Sequence, residues 1–311
     1  MGIQSLNKRD IASLGRPQNQ LDVYRTIDLI RENSSASLNL DLIYGAETQT
    51  LDSWIETVAE ISRIRPDEIY LYPLYIRPNT GLANINKSPS DQRLAMYRAA
   101  RDRLDEAGYQ QVSMRMFNQS GKASSTNPEY SCQSDGMIGL GCGARSYTST
   151  LHYGSSYAVK QPSILRLIHD FIYQTDEDFG RAVHGIALNE DEQRRRYLIL
   201  SLLLVEGLDC REYQATFGAP PQEHFSELLE LCERGFATRT EGLSETGFDP
   251  LRRGQKLNQN DSPPKGQTPF RTGPQSRICL TASGLELSDT IGPWLYSDAV
   301  RDRMAEVSWT D

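Results

Sequence analysis

LNLDLIYG, residues Leu38 to Gly45, decides the fold. It is a short apolar run closed by a glycine, and it reads as a buried strand. Upstream, Leu21, Tyr24, Ile27 and Ile30 recur at helical spacing and predict a helix over Leu21 to Glu32. Before that, MGIQSL reads as the end of another strand. Downstream, Leu51, Trp54, Ile55, Val58 and Ile61 mark a second helix, and IYLYPL, Ile69 to Leu74, a third strand. Ser88-Pro89 is a helix start, with proline tolerated in the first turn. Leu94, Tyr97, Ala100 and Leu104 give that helix its apolar face, and Gly108 is placed to end it. QQVSMRMF, Gln110 to Phe117, reads as a further strand. Strands alternating with helices imply an α/β fold with a parallel sheet, whose chemistry gathers at the strands' C-terminal ends.

Residues 118 to 160 change character, being rich in Gly, Ser, Thr and Tyr. In GLGCGARSY, Gly139 to Tyr147, glycine lets backbone approach something closely, or simply turns on the rim of the sheet. From about Asp191 a second unit begins. Helices are expected over Glu192 to Val205, stopped by Gly207, then over Cys210 to Phe217 and His224 to Glu233. Gly235 to Glu241 and Ile278 to Thr281 are expected to pair as a hairpin, which completes a winged-helix-like α+β order. Residues 244 to 277 would be its loop, and their Pro, Gly, Asn and Gln content predicts a mobile insertion that proteases cut first, near Lys256 or Lys265. The expected division is 1–160, a linker helix region 161–190, and 191–311.

Composition narrows the function. The 311 residues carry a net charge of -8, with 38% hydrophobic and 24% charged residues. An acidic chain speaks against a general binder of nucleic acid or membrane surfaces. The acidic PQEHFSELLELCE, Pro221 to Glu233, likewise weighs against a DNA-reading helix. The longest apolar run, Tyr197 to Val205, is far short of the ~20 residues a membrane helix needs. The first residues lack the apolar core of a signal peptide, so a cytoplasmic location is expected. Five scattered cysteines, Cys132, Cys142, Cys210, Cys232 and Cys279, read as free thiols, and neither they nor the four histidines have metal-ligand spacing.

Several phrases in order carry a resemblance. QSLNKRDIASLGRPQ, NLDLIYGAETQTLDSW, LYPLYIRPNT, MYRAARDRLDEAGYQQ, GLGCGARSY and LTASGLELSDTIGPWL resemble the HemN-type radical S-adenosylmethionine (SAM) family. That family holds the oxygen-independent coproporphyrinogen III oxidases and their relatives. SMRMF, GCGARSYTSTLHY and EQRRRYLILSLLLVEGLD look like a bacterial subgroup set apart from the oxidases proper and the haem chaperones. The resemblance implies a TIM-like βα barrel, SAM and a 4Fe-4S cluster. It also implies a C-x-x-x-C-x-x-C loop, whose thiolates ligate the cluster, and no such loop occurs in this sequence. Aligned this way, Met1 falls at the fourth barrel strand. The chain is then expected to be N-terminally truncated, to form a partial, open barrel, and to bind no cluster.

In such an open barrel the first strand would offer an unpaired edge for self-association, and the chain would be poorly soluble. The wall around Leu38, Leu40, Ile69 and Leu71 would be less covered. Cofactor contacts carried over from the family are Gln4, Arg16 and Asp41, with Arg145 aligned to a position lining the SAM pocket. The bland alternatives are a capping or buried-pair carboxylate for Asp41 and a solvated charge for Arg16. Cys142 is expected to be a small packed thiol, and Arg194 to Arg196 a solvated helix face. Two functions follow. One is a radical SAM oxidoreductase-like protein, incomplete as it stands, acting on an unknown small-molecule or peptide substrate. The other is a non-catalytic binding protein derived from such an enzyme.

Overall fold

The structure, a computed structural model, describes residues 1–16, 18–76, 92–120, 133–156, 158, 161–182, 184–240 and 276–306. Its first sheet takes β1 (Gly2–Gln4), β2 (Asn39–Tyr44), β3 (Glu68–Pro73), β4 (Tyr109–Gln111) and β5 (Met116–Gln119) in the order β1-β2-β3-β5-β4. β1, β2 and β3 run parallel, joined by α1 (Lys8–Ser13) and α2 (Gln20–Asn33), then by α3 (Leu51–Ile64). α4 (Arg93–Glu106) leads into β4. The sheet is not closed into a barrel.

Alternation along the strands sorts residues to two faces. Leu40, Leu42 and Tyr44 of β2 and Ile69 and Leu71 of β3 are buried against Trp54, Val58 and Ile61 of α3 and Tyr97, Ala100 and Leu104 of α4. α3 starts on a capping box in which Thr50 and Ser53 satisfy each other's backbone N–H groups. The Trp54 indole donates to the Met96 carbonyl at 2.8 Å and pins α3 to α4. Asp10 of α1 is buried and accepts from Ser5 and Ser53, joining the β1–α1 turn to the start of α3.

Four expectations need correction. Gln110 to Phe117 is not one parallel strand. It is the hairpin β4–β5, and β5 pairs antiparallel with both β4 and β3. Leu38, Leu40, Ile69 and Leu71 are not poorly covered, because they lie in the helix-packed core with at most 5% exposure. Leu21 and Leu94 stand out in solvent, at 75% and 44%, while Val23 and Met96 take the core positions. The Ser88-Pro89 helix start lies outside the described residues, and so do Lys256, Lys265 and residues 244–275 of the expected loop. Arg277 of that loop belongs to a strand.

A second sheet, β6 (Arg145–Tyr147), β7 (Leu151–Gly154) and β8 (His184–Ala187), is antiparallel throughout. α5 (Gln161–Ile172) and α6 (Asp176–Phe179) lie between β7 and β8 in the chain. α7 (Glu190–Leu202), β9 (Leu208–Asp209), α8 (Cys210–Phe217), α9 (Pro221–His224) and α10 (Glu227–Glu233) follow. The expected hairpin then forms as β10 (Ala237–Thr240) against β11 (Arg277–Leu280), with β9 as a third strand. α11 (Ala282–Glu286) and α12 (Ser288–Trp294) run back to the first sheet. Glu286 receives Arg98 and Arg101 of α4, and Asp289 receives Arg115, at 2.5–2.7 Å. One continuous apolar core runs from Ile3 to Leu295.

Candidate functional site

The face of the first sheet turned away from its helices carries polar and aromatic side chains. The ladder aligns Asn39 with Glu68, Asp41 with Tyr70 and Ile43 with Tyr72. On the far side of β3, Glu68 meets Asn118 and Tyr70 meets Met116. Partners across a ladder share a face, so these residues form one surface.

β1 completes it through a distortion. Gly2 pairs with Asp41 and Gln4 with Leu42, so two steps on β1 match one on β2. At that bulge Gln4 has φ of 69°, in the left-handed region that side chains rarely enter. Its side chain folds back, and the amide nitrogen fills space 2.6 Å from where a Cβ on Gly2 would sit. Gly2 is the register partner of Asp41, so the missing side chain at Gly2 lets the Gln4 amide lie beside the Asp41 row. The strain at Gln4 and the glycine before it thus serve one placement.

The aromatic part is a platform. Tyr70 and Tyr72 stack with ring centroids 6.0 Å apart and planes 15° from parallel. Tyr70 donates to the Met116 sulfur at 3.0 Å. The Arg115 guanidinium sits 5.5 Å from the Tyr72 ring centroid while paired to Asp289. Tyr75, just beyond β3, donates to the same carboxylate at 2.6 Å. Burial, then Glu68, Tyr72 and Asp41, push the Tyr70 hydroxyl up. Burial and Asp41 do the same at Tyr72, against Arg115. Burial and the bond to Asp289 push Tyr75 up to about 12. These hydroxyls therefore stay protonated and act as donors.

Two acceptors on this face are orphaned. Asn39 Oδ1 and Asn118 Oδ1 are buried without a hydrogen-bond partner, although Asn39 donates through Nδ2 to Glu68 at 3.4 Å. An unsatisfied buried acceptor costs about 1–3 kcal/mol, which a ligand N–H or O–H would recover. The face offers two carboxylates, two free amide oxygens, a side-chain amide and a stacked ring pair. That set suits a flat heterocycle carrying hydroxyls and positive charge.

Of the family-derived residues, the structure brings Gln4 and Asp41 together. Arg16 is exposed beyond α1, two residues after Leu14, which packs on Ala46 and Leu74 past the ends of β2 and β3. That places Arg16 by the strands' C-terminal rim. Arg145 lies in β6, in the other sheet. The sequence reading did not single out Tyr70, Tyr72, Asn39 and Asn118, yet the alternation in EIYLYP and NLDLIY already set the first three opposite the core side chains.

A 4Fe-4S cluster fits the described cysteines poorly. Cys142 is exposed in the glycine-rich segment, whereas Cys210, Cys232 and Cys279 sit in the C-terminal part. Burial pushes the last three thiols up, away from the thiolate a cluster needs. No group of three or more metal-ligating side chains occurs among the described residues. Cys132 lies outside them. Among the described residues no helix is long and apolar enough to cross a membrane.

Comparison with known proteins finds relatives over most of the chain. The HemN C-terminal domain model matches residues 188–247. Oxygen-independent coproporphyrinogen III oxidase of Salmonella typhimurium is 25% identical over 276 residues, covering 84% of this chain and 58% of that protein. Heme chaperone HemW of Haemophilus influenzae is 32% identical over 146 residues, 46% of this chain and 38% of that one. In structure, coproporphyrinogen III oxidase (HemN) of Escherichia coli, a radical SAM enzyme, superposes with a TM-score of 0.65. That match has 20% identity and covers 95% of this chain and 63% of that one. The chain is thus related to HemN/HemW-like proteins at about 25% identity over most of its length, and spans 58% of the oxidase it matches.

Proposed function

We propose that the chain binds S-adenosylmethionine on the polar face of β1, β2 and β3, as the cofactor-facing part of a HemN-like radical SAM oxidoreductase. The observation that carries it is the joint placement of the Gln4 amide and the Asp41 carboxylate beside the Tyr70–Tyr72 platform, with two orphaned acceptors on the same face. Asp41 accepts from the ribose hydroxyls or the ammonium of the ligand. Gln4 can donate and accept at once. Tyr70 and Tyr72 offer a flat face to adenine. Arg16 at the rim is the guanidinium for the ligand carboxylate, in the bidentate manner arginine favours. Arg145 lies in the second sheet and is given no role in this reading.

When bound beside a cluster, SAM supplies a 5′-deoxyadenosyl radical in such enzymes. Burial disfavours the thiolate at Cys210, Cys232 and Cys279, and the described thiols are dispersed, so no cleavage step is assigned to the chain's own residues. That observation favours a second reading for the chain by itself, a SAM-binding protein without radical chemistry.

Calorimetric titration with SAM tests the binding. Asp41→Asn should weaken it at least about tenfold, which is about 1.4 kcal/mol, with the fold intact by circular dichroism. Unchanged affinity in Asp41→Asn and Gln4→Ala would overturn the assignment. Anaerobic reconstitution decides between the readings. About four irons per chain, lost on replacing Cys142, Cys210, Cys232 and Cys279, would sink the second.

A further inference from the structure

Glu68 opens β3 and stands between two asparagines. The ladder sets Asn39 of β2 on one side of it and Asn118 of β5 on the other. The three side chains share the polar face and form a row at the N-terminal ends of β2 and β3. Each offers oxygen. Asn39 Oδ1 and Asn118 Oδ1 are buried without a partner, and Glu68 accepts from Asn39 Nδ2 at 3.4 Å, a long contact. The Met1 ammonium, at this end of β1, donates to the Asn39 backbone carbonyl at 2.8 Å and leaves the side-chain oxygen unserved. The Tyr70 hydroxyl donates to the Met116 sulfur and does not serve the amide oxygens either.

The field at this end is acidic. Burial, then Glu68, Tyr72 and Asp41, push the Tyr70 hydroxyl up, and no guanidinium acts against them as Arg115 does at Tyr72. Three acceptors in an acidic field call for a cation with several N–H donors. A primary ammonium has three donors and no lone pair. One can meet the Glu68 carboxylate as a charge-assisted bond, and the others the two orphaned oxygens. A calcium ion takes about six to eight oxygens, more than this row supplies. SAM's own ammonium adjoins its carboxylate, which the proposed function places on Arg16 at the C-terminal rim. β3 runs about 16 Å from Glu68 to Pro73, so that ammonium does not reach the row.

We infer that the Asn39–Glu68–Asn118 row holds the primary ammonium group of a second ligand, an alkylamine that shares the face with SAM. The place of SAM in this inference rests on the proposed function; the acceptor row itself does not. Glu68 supplies the opposite charge, and Asn39 and Asn118 select for N–H donors. Tyr70 follows two residues along β3 on the same face, so its ring lies beside the ammonium and its first methylenes.

NMR of the side-chain amides in the full chain tests it, with n-butylammonium as the probe at fixed ionic strength. The Asn39 and Asn118 signals should move together. Tetramethylammonium, which has the charge but no N–H, should not move them. Glu68→Gln keeps the shape and should weaken n-butylammonium about tenfold or more. Asn118→Leu removes an oxygen that has no partner, so it should weaken the probe without lowering the urea midpoint. Glu56→Gln, exposed on α3, alters net charge equally and should change nothing. No movement with n-butylammonium at about 10 mM, a weak-binding limit, would overturn the assignment. So would equal affinity in Glu68→Gln, or a response to calcium in place of the amine. SAM is titrated into the wild type in parallel. SAM binding without amine binding overturns this inference alone, and amine binding without SAM binding overturns the SAM assignment alone. Competition between the two would seat SAM's own ammonium here and overturn the second ligand.

Discussion

Glu286 ties the C-terminal segment to the first sheet's helices, and Glu286→Gln removes its charge while keeping its shape. Its side chain is 6% exposed and accepts from Arg101 at 2.7 Å and from Arg98 at 2.7 and 3.0 Å. Arg101 is sheltered, at 25% side-chain exposure, and a hydrogen bond to a charged group contributes about 1.5–3 kcal/mol there. Arg98 is half in water, where screening leaves such a pair little net effect. Glu286→Gln should therefore cost about 2 kcal/mol at neutral pH. Burial alone would raise the Glu286 carboxyl, but the bonds from Arg98 and Arg101 outweigh it and hold it below the usual range. A carboxyl depressed in the folded state contributes stability above its unfolded value of about 4.3, lost as pH falls through the lower folded value. The gap between wild type and Glu286→Gln should thus be full at pH 7 and close in acid. Urea titrations across that range, read by tryptophan fluorescence, measure it, since Trp54 reports the first sheet and Trp294 the C-terminal segment. Equal stability at pH 7 would refute the reasoning. A gap that persists unchanged in acid would show that lost packing, not charge, sets the cost.

Two other substitutions probe the backbone. A Cβ on Gly284 would overlap the Phe236 carbonyl, a backbone group already accepting from Thr281, so Gly284→Ala should lower stability by about 1–3 kcal/mol in thermal melts. Gln4→Gly relieves the left-handed residue at the β1 bulge and should raise stability by about 1 kcal/mol while weakening SAM binding in the same calorimetric assay. Gain in both would show that the strain at Gln4 serves no ligand.

Where the sequence could be read, period and punctuation agreed. NLDLIY alternates, and β2 buries every second residue. The helix starting at Leu51 has its apolar residues at helical spacing and a capping pair before them. QQVSMRMF misled because its turn contains neither glycine nor proline. Val112 donates to the Met116 carbonyl, and the Ser113 hydroxyl accepts from the N–H groups of Arg115 and Met116, so a serine side chain closes the turn. Residue type alone cannot distinguish such a turn from a continuing strand. The candidate site was half legible for a related reason. Asp41, carried over from the family resemblance, falls on the strand's polar face, but the direction of Gln4 depends on a positive φ that its residue type does not announce.

That hidden turn changes how the first sheet ends. β5 is antiparallel to both β3 and β4, so β3 and β4 point the same way with β5 wedged between them. In a parallel barrel the strand after α4 would pair with β3 directly and carry the polar face onward. Here β5 takes that place and supplies Met116 and Asn118, so Tyr70 gains a sulfur partner and Glu68 an asparagine neighbour. The loop before β5 also brings Arg115 to Asp289 of α12 and to the Tyr72 ring. One antiparallel insertion thus bounds the polar face on its β3 side and ties the C-terminal segment to it. The Tyr70–Tyr72 platform and the docking of α12 therefore share Arg115.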